Sequence, residues 1–156
     1  MPREARLIIE GVCYHVMSRG NEKKTVFKNN DDYARYMALL QRYKKKYSFK
    51  LYGWCLMNNH SHLVLESDSL SKAMHGINLS YAKYSRCKYK SVGHFWQDRF
   101  KSYVIEKDRY FINCISYIEY NPVRAGITSR PEDYQWSGYA ARVLGKKSNL
   151  LDNIVL

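Results

Sequence analysis

Two histidines one residue apart, His60 and His62, fall in a run, residues 60–66, that reads as a β-strand. Side chains on a strand alternate between faces, so both imidazoles point to the same side, a few ångströms apart. Ser61, Leu63 and Leu65 point the other way, toward a core. Two neutral imidazoles side by side are a ready chelate for a divalent cation, although paired strand histidines serve structural ends as often. Further along, Tyr117-Ile118-Glu119-Tyr120-Asn121 reads as helix. Tyr117 and Asn121 are four apart and share a helix face. A phenol and an amide carbonyl so placed can join the imidazoles, because two nitrogens, one oxygen and open positions suit Mg2+ or Mn2+ bound to a phosphate. The same residues also fit a core tyrosine and an Asn helix cap. Residue types and spacing leave both readings open.

The elements that would position these groups are legible around them. Residues 12–18 read as a first strand, ending at Arg19-Gly20-Asn21. Residues 31–47 carry Tyr33, Tyr36, Met37, Leu40, Tyr43 and Tyr47 at helical spacing, with Asn30 or Asp31 as cap. Residues 50–57 and 60–66 are strands joined at Asn58-Asn59, a pair that tolerates the left-handed conformation tight turns use. Residues 70–89 form a second amphipathic helix with Leu70, Ala73, Met74, Ile77, Tyr81 and Tyr84 on one stripe. A loop over 91–98 leads to a strand near 100–105. Asp108 caps a third helix, about 108–120, which Pro122 stops. Phe111, Ile112 and Ile115 would hold it to the sheet. The fold class expected is α+β: a ferredoxin-like βαββαβ antiparallel sheet with two helices on one face, leaving the third helix for the other. One domain over 1–156 is expected, with a tail over about 138–156 carrying a short helix.

Composition narrows the partner. Lys plus Arg number 26 against 14 Asp plus Glu, a net charge of +12, and this excess suits a polyanion, because each phosphate neutralised releases counterions. Fifteen tyrosines supply flat rings of the kind that stack on unpaired bases, though most are expected in the core. Cys13, Cys55, Cys87 and Cys114 are far apart with no Cys-x-x-Cys pair, which argues against a thiolate zinc site or a disulfide framework and for a reducing cytoplasm. No signal peptide and no membrane-length apolar run is evident, so no membrane partner is expected.

Four segments carry a resemblance. They are Tyr14-His15-Val16 with Arg19-Gly20-Asn21; Met57-Asn58-Asn59-His60-Ser61-His62-Leu63; residues 93–102, Gly93-His94-Phe95-Trp96-Gln97-Asp98-Arg99-Phe100-Lys101-Ser102; and residues 117–126, with Asn121-Pro122-Val123-Arg124-Ala125-Gly126. Together with residues 130–137 they closely resemble the REP-associated tyrosine transposases, a branch of the single-tyrosine HUH transposases, over about residues 1–137. The resemblance implies His60 and His62 as the metal-binding pair, Tyr117 as nucleophile and Asn121 in the place of the third metal ligand, with Mg2+ or Mn2+ as cofactor. Ser61 departs from the bulky apolar residue usual between the two histidines, and Asn58 from the usual Pro.

The resemblance further implies a tyrosine transposase that cuts and rejoins single-stranded or hairpin-containing DNA through a 5′-phosphotyrosine, as a monomer or a homodimer. Lys83, Arg86, Arg99 and Lys101 would position phosphates, and Trp96 would stack a base or serve as a structural tether. His94 has no assignable role. The rival reading is a basic nucleic-acid-binding module of the same fold without catalysis. A two-histidine phosphoesterase is disfavoured, because no second His motif with Thr or Ser is found.

Overall fold

A computed structural model of the chain describes residues 13–154. Strands β1 (Cys13–Arg19), β2 (Lys50–Met57), β3 (His60–Glu66) and β4 (Lys101–Ile105) alternate with helices α1 (Asn30–Tyr47), α2 (Leu70–Tyr89) and α3 (Arg109–Glu119); short helices α4 (Asn121–Arg124) and α5 (Tyr139–Leu144) follow. The sheet runs β2-β3-β1-β4, every neighbouring pair antiparallel, which is the βαββαβ arrangement expected. Among the described residues no helix is long and apolar enough to cross a membrane. The start of the first strand at residue 12 lies outside the described residues.

Each face of the sheet buries its own apolar cluster. Tyr14, Val16, Leu51, Trp54, Leu56, Leu63 and Leu65 meet Tyr36, Leu40, Met74, Ile77 and Tyr81 of α1 and α2. Cys13, Tyr52, Cys55, Met57 and Val64 meet Phe111, Ile115 and Ile118 of α3. The strict alternation of β1 and β3 produces this division. In β2 it is interrupted by a register shift between Leu51 and Gly53. The bulge at Tyr52 turns two successive positions toward α3. The second of them is Gly53, where an added Cβ would lie 2.8 Å from Ile115 Cγ2. Glycine there sets how closely α3 can approach.

Local chemistry explains the helix ends, with corrections to the sequence reading. The cap of α1 is Asn29, not Asn30 or Asp31: its side chain accepts from the Asp32 N–H at 3.2 Å. Asp32 is itself fully buried and ties α1 to α2 by accepting from Tyr84, Tyr89 and Lys88. Burial pushes its pKa up, but these hydrogen bonds and one from the Lys28 N–H outweigh it, and the net shift is downward. Asp108 caps α3 as expected, accepting from the Tyr110 N–H at 2.8 Å. Pro122 does not simply end the chain's helical path. α3 stops at Glu119, and Pro122 occupies the first turn of α4, where its missing N–H costs nothing. Asn121 therefore starts a new turn rather than ending the old one. The Asn58-Asn59 turn uses no left-handed residue, because neither asparagine has a positive φ.

Ser61 shows why a small polar residue is tolerated between the histidines. It faces α1, and its hydroxyl shares a hydrogen bond of 3.2 Å with the hydroxyl of Tyr36, which is fully buried. Ser61→Ala leaves that phenol without a partner and should cost about 1–2 kcal/mol of stability. The Tyr36→Phe, Ser61→Ala double variant should lose little more than the single one. Urea unfolding midpoints of the four proteins check this, and plain additivity of the two losses would refute it.

The C-terminal segment is built into the body. Residues 134–138 run along the outer edge of β2, with the Leu56 N–H donating to Trp136 O and the Gly138 N–H to Trp54 O, and Tyr33 stacks on Trp136 at 5.0 Å. Arg142 of α5 makes a forked ion pair with Glu119, whose side chain is fully buried.

Candidate active site

His60 and His62 do share the face of β3 that meets α3. Their ring centroids are 4.9 Å apart and nearly perpendicular. Each ring has its Nδ1 held by a neighbouring group. His60 Nδ1 lies 2.5 Å from the Asn59 side-chain carbonyl oxygen, an acceptor only, so Nδ1 donates. His62 Nδ1 lies 2.9 Å from Nε2 of His15, and the two rings stack at 5.1 Å. Either ring can donate in this contact, and the tautomer in which His15 accepts has His62 donating from Nδ1. Both rings then present an unprotonated Nε2, the form that binds a cation.

Burial keeps these rings neutral. It is the main cause that pulls His60 down to about 4, with the Arg19 charge adding to it. It likewise pulls His62 down to about 3, helped by His60, His15, Arg19 and Arg124. His15 is also lowered by burial. The sequence assigns His15 no role. It stands on β1, which pairs with β3, and the pattern within either strand does not reveal that pairing.

Tyr117 is 60% exposed on α3, and Arg124 connects it to Asn121. The Arg124 guanidinium sits 3.8 Å from the centroid of the Tyr117 ring, a cation–π contact. Its Nη2 donates to the Tyr117 carbonyl at 2.6 Å and to Asn121 Oδ1 at 2.5 Å. The same charge is near enough to His62 to contribute to its lowered pKa, which links the α3–α4 junction to the histidines. Arg124 follows Tyr117 by seven residues and Asn121 by three, a helical spacing that is present in the sequence.

The donors fit a cation in part. Among the described residues no three or more His, Cys, Asp or Glu side chains are so placed that together they could hold a metal ion. The two free Nε2 atoms therefore need an oxygen from an amide, water or phosphate. The Asn121 amide is engaged at its oxygen, where Arg124 holds Oδ1, while its Nδ2 is buried without a partner.

The basic residues divide. Arg86, Arg99 and Trp96 line one groove between α2 and the loop before β4, whereas Lys83 is exposed on α2 and Lys101 on β4, neither of them lining it. Trp96 is tethered, its indole N–H donating to the Asn78 carbonyl at 2.8 Å and its ring edge-on to Phe95.

Residues 9–121 match the family model of IS200-like transposases. The chain belongs to that family. A Haemophilus influenzae protein assigned as a REP-associated tyrosine transposase is 27% identical to this IS200-like transposase over 108 residues. The chain spans 60% of that relative's length, and the aligned region is 60% of the chain. Among solved structures, a REP-associated tyrosine transposase bound to a REP hairpin superposes with a TM-score of 0.79 over 100% of both chains, at 17% identity. A protein of Deinococcus radiodurans assigned as a transposase gives a TM-score of 0.52 over 76% of this chain and 96% of its own, at 13% identity. At these identities the two structures support the fold.

Proposed function

We propose that this chain is a REP-associated tyrosine transposase that cuts and rejoins hairpin-containing single-stranded DNA, with Tyr117 as nucleophile and His60, His62 and Asn121 as ligands of Mg2+ or Mn2+. The observation that carries this reading is the pairing of His60 and His62 on one face of β3, each with its Nδ1 held by a neighbouring group and its Nε2 outside that contact. The cation, when bound, polarises the scissile phosphate and stabilises the charge that develops on it.

The protein's own residues do the rest. The Tyr117 oxygen attacks a backbone phosphorus in line, forming a P–O bond to tyrosine as the bond to the 3′ oxygen breaks. The phenolic proton passes to solvent, and the departing 3′ oxygen takes one up. A 3′-OH then attacks the phosphotyrosine and returns the phenol. The phosphodiester is conserved, so no nucleotide is consumed. Arg124 stands against the Tyr117 ring and carries a permanent charge that a phosphate can pair with.

The experiment is direct. Labelled hairpin DNA with a single-stranded flank, incubated with the chain and Mn2+, should yield a DNA–protein adduct that resists denaturation and releases a 3′-OH fragment. Tight binding without any adduct would favour the non-catalytic module. His15 offers a second check. His15→Phe keeps a flat ring but removes the acceptor that orients His62, and Mn2+ affinity by calorimetry should fall about 10–100-fold. An unchanged affinity would sever His15 from the metal site.

A further inference from the structure

On the far layer of the sheet from the histidines lies a groove between α2 and the segment Gly93–Phe100, with a volume of about 710 Å3. That is within the roughly 300–1,000 Å3 of small-ligand sites. Its floor is apolar, from Met74, Leu79, Ala82, Phe95, Trp96 and Phe100. Leu79 is 41% exposed and presents its apolar side chain at the groove's edge. Cations stand around the rim: Lys72 and Arg86 from α2 and Arg99 from the loop. Arg86 uses one of its five N–H donors on the Gly93 carbonyl. Asp98 is the acidic residue of this lining, and its carboxylate accepts from the Arg99 N–H. Asn78, 9% exposed, forms part of the wall; its Nδ2 donates to Ser18 Oγ, and its Oδ1 is buried without a partner.

We infer that this groove receives one unstacked nucleobase of the DNA strand, with the apolar floor taking the ring and Lys72, Arg86 and Arg99 pairing with the flanking phosphates. An apolar slot rimmed by cations matches a nucleotide, whose flat ring and anionic backbone need opposite surroundings. The groove is also correctly placed. Its loop wall is pinned to the end of β1, with the Gln97 N–H donating to Arg19 O and the Asn21 N–H to Phe95 O. Arg19 pairs in register with His60. Groove and histidines thus meet at one end of the sheet, on opposite layers, and a strand passing round that end can occupy both.

This inference rests on the DNA-cleaving reading for its ligand, and the test separates the two. Binding of a hairpin with a single-stranded flank is measured by fluorescence anisotropy while a single abasic nucleotide is moved along the DNA. One position should lose about tenfold in affinity, since a stacked base contributes on this scale. Leu79→Glu, a change at an exposed site, should weaken the intact DNA by the same factor and become indifferent to the abasic nucleotide at that position. Lys72→Gln should lower affinity at every position and flatten its salt dependence. If no abasic position stands out, or if Leu79→Glu binds as tightly as the unaltered chain, the groove holds no base. An RNA hairpin of the same sequence that reproduces the abasic pattern more strongly than DNA would overturn DNA as the occupant. Formation of the covalent adduct is scored in parallel. An adduct without the abasic signature refutes the groove alone, and the signature without an adduct refutes cleavage alone.

Discussion

Tyr117→Phe should abolish the covalent DNA adduct while leaving the fold and hairpin affinity intact. The change deletes one oxygen from a ring that is 60% exposed, so the stability cost should stay within about 0.5 kcal/mol. The ring itself remains for Arg124 to stack on. What is lost is the atom that forms the bond to phosphorus, and nothing on the ring can replace it. Adduct formation should therefore drop by at least about 10^3-fold, the scale seen when a nucleophile is removed. Denaturing gel electrophoresis of labelled DNA reads this directly. An adduct that persists would transfer the role to another hydroxyl. Tyr120 is then the next candidate, 41% exposed and edge-on to Tyr139 at 6.0 Å.

Alanine at His60 and His62 should remove metal-dependent cutting and spare hairpin binding. Each substitution deletes one of the two neutral nitrogens facing the proposed cation. Loss of a cation that stabilises charge on the transferring phosphoryl group removes several kcal/mol, so cleavage should fall by roughly three orders of magnitude or more. The two positions differ in side effects. His60 is half-buried and its removal should be well tolerated, whereas His62 is 7% exposed and leaves a small void. His60→Ala is thus the cleaner variant. Calorimetric titration with Mn2+ should show no binding to the double variant, with far-ultraviolet circular dichroism unchanged. Cleavage that survives both substitutions with its metal dependence intact would remove the imidazoles from the chemistry.

The sheet and its helices are largely legible in the sequence because the apolar periods are clean. β2, β3 and α2 begin and end where alternation and helical spacing place them. The pairing of the histidines on one face follows from period two alone. Whatever depends on contact between distant segments is not legible. His15 gains its place from antiparallel pairing of β1 with β3, which sets His15 opposite Val64 and next to His62. Nothing within α1 itself marks Asp32 for burial, yet α2 brings Lys88, Tyr84 and Tyr89 onto it. Asn121 moves from the end of one helix to the start of the next because Pro122 opens α4 as well as closing α3. Arg124 carries a readable spacing, but only the folded chain brings its guanidinium against the Tyr117 ring.

The buried carboxylate of Glu119 lies two residues beyond Tyr117, and its counter-ion, Arg142, comes from outside the stretch that matches the family model. An anion sealed from water without its partner must take up a proton or drag its backbone toward solvent. A chain trimmed before residue 142 should therefore bind hairpins yet hold the phenol less firmly, because the end of α3 would keep its apolar contacts but carry an unpaired buried carboxylate. The last helix in this sense braces the turn of α3 that carries Tyr117.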